Sequence, residues 1–315
     1  MNVQRDKPQI IFPGGTGFLG RHLCTYFSNL GYRVIVLSRR PSTKEFQTLA
    51  WDSKTLGPWA AAIDGADVVV NLAGRSVNCR YTARNRREIY DSRLDSTRAI
   101  GQAIAAAKRP PRVWINASSA TIYRDSRDRD MDEATGEIGS GFSVDVCQKW
   151  EAALADAPAP AGHAPRTRKV AIRSAMVFGP GHDGVFEAFA KIVRAGLGGT
   201  MGDGGQFVSW VHVLDFCRAV QWIIERDDLS GAINIASPYP LPNREFMRIF
   251  RAVCNKRIGL PSPRWMLEIG AMLMRTETEL LLKSRRVVPG RLVASGFEFR
   301  FPEVRGALRE ITSQR

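Results

Sequence analysis

IleIlePheProGlyGlyThrGlyPheLeuGly, residues 10–20, decides how the rest of the chain reads. Ile10, Ile11 and Phe12 are a short apolar run of the kind a buried strand uses, and they enter a turn carrying Gly14, Gly15, Gly17 and Gly20. Beyond the turn, Leu19, Leu23, Tyr26, Phe27 and Leu30 fall on one face of a helix. Gly31 then stands where helices commonly stop. The glycines satisfy both GxxGxxG and GxGxxG. Alone that pattern carries little, but between a strand and an amphipathic helix it predicts a dinucleotide turn. Glycines let backbone N–H groups approach a pyrophosphate, and the amino end of the helix favours its negative charge. A glycine turn with no ligand is the plain alternative.

Outward from this turn, short apolar runs alternate with amphipathic ones. Strands are predicted at 34–37, 68–72, 113–115, 169–173 and 232–235, and a helix at 93–107, ending before Pro110-Pro111. This alternation predicts an α/β fold, a Rossmann-type doubly wound parallel sheet. Residues 7–237 are assigned to that dinucleotide-binding domain, with 179–208 contributing to a substrate lobe. Residues 238–315 form a smaller mixed α/β C-terminal lobe. Within it, a helix is expected from near Asn243, then a helical stretch with Met266, Leu267, Ile269, Met272, Leu273 and 280–282, and a strand at 297–301. The Arg-, Asp- and Gly-rich stretch 124–141 reads as an exposed excursion, and 156–168 as a surface linker.

Composition narrows the function. The 315 residues carry a formal charge of +14, yet 36 arginines stand against 9 lysines. With many alanines, that imbalance reads as codon bias rather than a nucleic-acid surface, and no zinc-finger or RNP-like motif accompanies it. No sequence-specific nucleic-acid partner is expected. Cys24, Cys79, Cys147, Cys217 and Cys254 are odd in number and scattered without a CxxC pair, so neither a disulfide framework nor a metal site is indicated. No apolar run reaches bilayer length, and the first residues lack the apolar core of a secretion signal. A cytosolic protein without a membrane partner is expected, its oligomeric state unspecified.

The end of the second strand chooses the cofactor. An Asp or Glu there would accept hydrogen bonds from the adenosine ribose and repel a 2′-phosphate. This chain has Ser38-Arg39-Arg40 instead, which predicts NADP(H) over NAD(H). The alternative is that the arginines merely face solvent.

With AsnLeuAlaGly at 71–74 added, the amino half resembles an extended short-chain dehydrogenase/reductase. ArgTyrThr (80–82), SerArgLeuAspSerThr (92–97), TrpGluAlaAla (150–153), the string at 197–212, ProLeuProAsnArgGluPhe (240–246) and LeuLeuLeuLysSerArgArgValValPro (280–289) narrow the match. Together they resemble the atypical NADP-binding "epimerase family" branch related to sugar-nucleotide epimerases, which ends in a small domain of unknown role. The resemblance implies that Gly14, Gly15, Thr16, Gly17, Phe18, Leu19 and Gly20 cradle the pyrophosphate, and that Ser38, Arg39 and Arg40 meet the 2′-phosphate. It further implies that Leu72, Ala73 and Gly74 line the adenosine and ribose, and that Glu88, Arg93 and Val177 approach the cofactor. For Glu88, a helix-surface carboxylate among Arg84, Arg86 and Arg87 is an equal reading.

The chemistry such enzymes use is mostly missing. They carry Asn, Ser, Tyr and Lys, the Tyr as general acid/base and the Lys lowering its pKa. The resemblance, anchored on Glu151, puts Cys147 at the Lys position, Ser143 at the Tyr position and Arg93 at the Asn position, and retains only Ser119. Tyr123 and Cys147 are the candidate replacement acids, each with packing as its alternative. His212 and Asp215 look like a triad fragment but fit a structural strand-to-helix corner. His182-Asp183 lies near the expected substrate mouth. The expected function is therefore an NADP(H)-binding oxidoreductase or epimerase-like enzyme on a small polar substrate. The alternative is a non-catalytic NADP(H)-sensing or regulatory protein, a role suggested by relatives linked to cell division.

Overall fold

Residues 7–41, 45–160, 166–181, 183–263 and 283–314 are described in the computed structural model of the chain. The amino half runs β1 (Gln9–Pro13), α1 (Phe18–Asn29), β2 (Arg33–Ser38), β3 (Gln47–Ala50), β4 (Val68–Asn71), α2 (Ala83–Ala106) and β5 (Val113–Ser119). It continues through α3 (Phe142–Ala155), β6 (Arg168–Ser174), β7 (Met176–Phe178), α4 (Val185–Arg194), β8 (Phe207–Val208), β9 (Trp210–His212), α5 (Val213–Glu225) and β10 (Gly231–Ile235). The remainder holds β11 (Leu241–Pro242), α6 (Asn243–Val253), α7 (Gly290–Ala294) and α8 (Val304–Ser313).

Seven strands form one sheet in the order β10-β6-β5-β4-β1-β2-β3, and every pairing is parallel. Strand alternation sends Ile10, Phe12, Val34 and Val36 to the face covered by α1 and α5. Ile11, Ile35, Leu37 and Val69 point to the face covered by α2 with Ile100 and Ile104. The chain order reverses between β1 and β4, so a crevice opens there beyond the carboxyl ends of the strands. The doubly wound expectation holds.

A second apolar cluster joins Phe178, Phe186 and Phe189 to Trp210, to Phe246 and Phe250 of α6, and to Leu308 and Ile311 of α8. Segments far apart in sequence thus share one core on the carboxyl side of the sheet.

Several local expectations are corrected. The helix expected at 93–107 begins at Ala83, capped by Thr82 Oγ1 accepting from the Asn85 N–H at 3.2 Å. Its first turns are nearly all polar and bury only Ile89 before Ser96, so apolar periodicity could not reveal them. The edge strand β3 has no fully buried residue and gave no apolar signal. The stretch 124–141 is not simply exposed: Ser126 and Met131 are fully buried, and Met131 bridges to Val287. Residues 297–301 form no strand, because the N–H groups of Arg300 and Phe301 donate to the buried Asp215 carboxylate instead. The expected helical stretch at 266–273 and 280–282 lies outside the described residues. Among those described, no helix is long and apolar enough to cross a membrane.

Candidate dinucleotide and substrate site

The glycine turn is squeezed from two sides. Gly14 has φ +76°, and a Cβ there would lie 2.9 Å from the Ala73 backbone. A Cβ on Gly20 would lie 2.4 Å from the Gly15 Cα, so α1 packs directly on the turn. Gly17 is different: a Cβ there would meet only the Gly14 carbonyl, 3.7 Å away, and would otherwise fill open space at the amino end of α1. That end has no side-chain cap and no acidic residue in its first turn. Its free N–H donors and the cradle in front of them fit a pyrophosphate. Phe18 turns its ring toward Gly181 and Gly184, Leu19 packs on the core, and the Thr16 carbonyl accepts from Arg21 Nη1 at 2.9 Å.

At the end of β2, Ser38 is buried and its Oγ accepts from the Arg40 N–H at 3.2 Å. Arg39 and Arg40 are exposed. Among the described residues neither is paired with a carboxylate. Across the turn, the Leu72 N–H donates to the Pro13 carbonyl at 2.9 Å and the Ala73 N–H to Asn71 Oδ1 at 3.0 Å. Leu72, Ala73 and Gly74 thus run along the same mouth.

The other half of the crevice is built by β5, α2 and α3. Ser119 Oγ accepts from both the Thr121 N–H (3.2 Å) and Thr121 Oγ1 (3.1 Å). Thr121 Oγ1 also lies 3.5 Å from Cys147 Sγ. With the Thr121 proton given to Ser119, the Cys147 thiol must be the donor to Thr121. The order Cys147, Thr121, Ser119 leaves the Ser119 hydrogen free to point outward. Burial pushes the Cys147 thiol up, so it stays protonated near neutral pH. Val177 is buried in the β7–β9 pair. Glu88 is half exposed and paired with Arg75 (2.9 Å) and Arg84 (2.8 Å), which is the helix-surface alternative. The Arg93 guanidinium lies over the Trp150 ring, 4.9 Å from its centroid, and against Gly74.

Tyr123 sits elsewhere. It is 1% exposed, and its hydroxyl donates to Asn234 Oδ1 at 3.0 Å and accepts from Arg173 Nη1 at 2.9 Å. Burial raises its pKa. The hydroxyl is consumed by the core rather than offered to the crevice, which speaks against the replacement-acid reading. Arg173 in turn grips Glu151 with two bonds of 2.8 and 2.7 Å, and Ser118 donates to the same carboxylate at 2.6 Å. Thr121 and Arg173 were missed by sequence reading. An arginine directly after the apolar ValAlaIle of β6, opposite Ser118 in register, was the available signal for Arg173.

His212 and Asp215 form the structural corner. His212 Nδ1 accepts from the Leu214 N–H at 3.1 Å, and Nε2 lies 2.9 Å from Glu310 Oε2. His22 Nε2 meets the Pro180 carbonyl at 3.1 Å. Asp183 pairs with Arg21 at 2.7 Å, while His182 lies outside the described residues. Burial pulls both His22 and His212 below the ordinary histidine value of 6.5. Their unfolded forms therefore take protons first, and their stabilising contribution, complete above about pH 6.5, is lost as pH falls toward the folded values. Protonated His212 could no longer accept at Nδ1. The urea midpoint is expected to be lower at pH 5.5 than at 7.5, with a smaller drop in His212→Asn. An equal drop in that variant would rule out His212 as a source.

A parallel sheet with an open glycine cradle at its switch point defines a dinucleotide-binding α/β protein. The chain matches the NAD dependent epimerase/dehydratase family over residues 10–236 and belongs to that family, which bears out the resemblance read from its motifs. Residues 262–311 match a domain of unknown function, DUF1731. The human epimerase family protein SDR39U1 is 30% identical over 308 residues, 97% of this chain and 100% of that one. The crystal structure of human SDR39U1 (isoform 2) with NADPH aligns with a TM-score of 0.85 at 30% identity, covering 98% of this chain and 100% of that one. A nucleoside-diphosphate sugar epimerase from Corynebacterium glutamicum aligns with a TM-score of 0.77 at 26% identity, over 98% of this chain and 59% of that one. Among the described residues, no cluster of His, Cys, Asp or Glu is arranged to hold a metal.

Proposed function

We propose that the protein is an NADP(H)-binding oxidoreductase or epimerase-like enzyme acting on a small polar substrate. The observation that carries the reading is the open cradle at Gly17 flanked by carboxylate-free Arg39 and Arg40. The NADPH in the crystal structure of the human relative supports the same choice. Gly14 to Gly20 would hold the pyrophosphate, with Leu72, Ala73 and Gly74 along the nucleoside. When bound, the dinucleotide supplies or accepts a hydride. The chain's own part is to orient an oxygen: Ser119, fixed by Thr121, has one outward hydrogen for a substrate carbonyl or hydroxyl. Cys147 backs that hydrogen through Thr121, and a neutral thiol three groups deep is a slow proton source. Residues 179–208 and the lobe after 238 would supply the substrate wall.

A second reading, a non-catalytic NADP(H) sensor, is favoured by one fact: the Tyr123 hydroxyl is committed to Arg173 and Asn234, so no phenol serves the crevice. Single-turnover NADPH oxidation with carbonyl substrates, and NADP+ reduction with nucleoside-diphosphate sugars, separates the two. Slow turnover is expected, falling about 10²–10³-fold in Ser119→Ala, the usual cost of one lost oxyanion donor. Turnover undiminished in Ser119→Ala and Cys147→Ala would put the reaction elsewhere. Tight NADPH binding with no turnover would support the sensor.

A further inference from the structure

Among the described residues, Arg93 is a cation without a carboxylate counter-ion. Several other arginines near the crevice meet carboxylates: Arg75 and Arg84 share Glu88, Arg173 grips Glu151, and Arg21 pairs with Asp183. Arg93 Nη1 donates only to the Arg75 carbonyl (3.0 Å) and the Ile89 carbonyl (3.1 Å), and one face of its guanidinium is covered by Trp150. Among the described residues no carboxylate lies within ion-pair distance of it. Its electrostatic neighbours are the thiols of Cys147 and Cys79 and the phenol of Tyr81. Desolvation weighs against a guanidinium that meets two carbonyls and an aromatic face but, among the described residues, no carboxylate, so a charge kept there calls for a functional reason.

The location supplies one. The guanidinium lies against Gly74, one residue beyond Ala73, whose backbone abuts Gly14 of the cradle. The guanidinium also faces α3, whose Trp150 ring it covers and whose Cys147, one turn earlier, is linked through Thr121 to Ser119. A dinucleotide on a doubly wound sheet spans the switch point, one mononucleotide over each half. With the 2′-phosphate at Ser38–Arg40 on the β2 side, the nicotinamide half falls on the β4–β5–β6 side, with Arg93 and Ser119. The oxidised nicotinamide ring carries a positive charge and the reduced ring none. Two like charges brought close together repel, and the nearby Glu151 carboxylate is already held by Arg173.

We infer that Arg93 makes this site selective for the reduced cofactor, so that NADPH is held more tightly than NADP+. The inference rests on the NADP(H) reading and adds to it the redox form that is retained. Both forms share every phosphate, so their affinity ratio cancels the contacts at Ser38–Arg40 and the cradle and reports on the nicotinamide end alone.

The test is calorimetric titration of the full chain with NADPH and with NADP+, using wild type, Arg93→Lys and Arg93→Met. The wild type is expected to favour NADPH by about tenfold or more, which corresponds to a shift of about 30 mV in the potential of the bound couple. Arg93→Lys should keep most of that ratio. Arg93→Met should bring it within about threefold, mainly by tightening NADP+. Equal wild-type affinities would overturn the inference while leaving the cofactor reading intact. Equal weakening of both forms in Arg93→Met would also overturn it, making Arg93 a phosphate contact. Failure of the wild type to bind either form would instead overturn the cofactor reading itself. If Arg93→Met does not fold, Arg93→Gln, which also removes the charge, takes its place with the same expected collapse of the ratio, and an unchanged ratio in it would overturn the inference.

Discussion

Replacing Arg39 with alanine is expected to remove most of a preference for NADPH over NADH of about 10- to 150-fold, while leaving NADH affinity within about twofold. One charge-assisted contact between an arginine and a phosphate is worth about 1.5–3 kcal/mol, which converts to that range. The geometry favours the full effect. Arg39 and Arg40 emerge from the end of β2 on the exposed side, and no carboxylate competes for them among the described residues. The backbone of Arg40 is already tied to Ser38 Oγ, which sets the turn rather than spending either guanidinium. Arg40→Ala should therefore cost less than Arg39→Ala if the first arginine faces the phosphate. Because the contact is solvent-accessible, the preference should shrink as salt is raised from about 0.05 to 0.5 M, where screening shortens to a few ångströms. Fluorescence titration with both dinucleotides measures all of this. Equal affinities for NADPH and NADH in the wild type would remove the assignment of the 2′-phosphate to this strand end.

The second large effect concerns stability. Arg173→Met alone, or Glu151→Gln alone, is expected to lower the free energy of unfolding by about 3–5 kcal/mol, because each leaves an uncompensated group in a buried pair. The side chains of Arg173 and Glu151 are only 11% and 18% exposed, and they meet in a two-bond grip. Each also serves a third residue. Ser118 donates to Glu151, and Arg173 donates to the Tyr123 hydroxyl, which in turn donates to Asn234. Asn234 closes the network by taking its N–H to Glu133 and its side-chain amide to the Val288 carbonyl. The double variant Arg173→Met with Glu151→Gln should be less damaging than the sum of the single changes, since it removes both charges together. Urea denaturation of the four proteins gives the coupling. Additive losses, or single losses below about 1 kcal/mol, would mean that water already reaches the pair.

This network shows where legibility stopped. Local signals located Glu151 and Tyr123 from their neighbours in sequence, but the partners of both come from other strands. Tyr123 was read as a candidate acid because a hydroxyl near Ser119 in sequence suggests one near it in space. The fold instead turns it toward β6 and β10, where Arg173 and Asn234 consume both of its hydrogen-bonding roles. Thr121 carries no signal for the opposite reason: it is small and unremarkable in sequence, yet it joins Ser119 to Cys147. Likewise the 124–141 stretch looked solvent-facing by composition, since Arg124, Asp128, Arg129 and Glu137 neutralise one another at its surface. Its buried Met131 is paired only once residues near 287 return to cover it.

By itself the sequence determined what depends on near neighbours and on backbone freedom. The glycine turn between β1 and α1, the parallel alternation, the absence of a carboxylate after β2 and the absence of a YxxxK pair are all local facts. Glycine spacing constrains the chain within one turn, and strand or helix period repeats within a few residues. The tertiary structure alone decided which hydroxyl faces the crevice, which arginines meet no carboxylate among the described residues, and which segments share the second core. Those outcomes depend on charges and side chains brought together from positions tens to more than a hundred residues apart. Solvation and pairing are properties of the assembled environment, so no single stretch of sequence carries them.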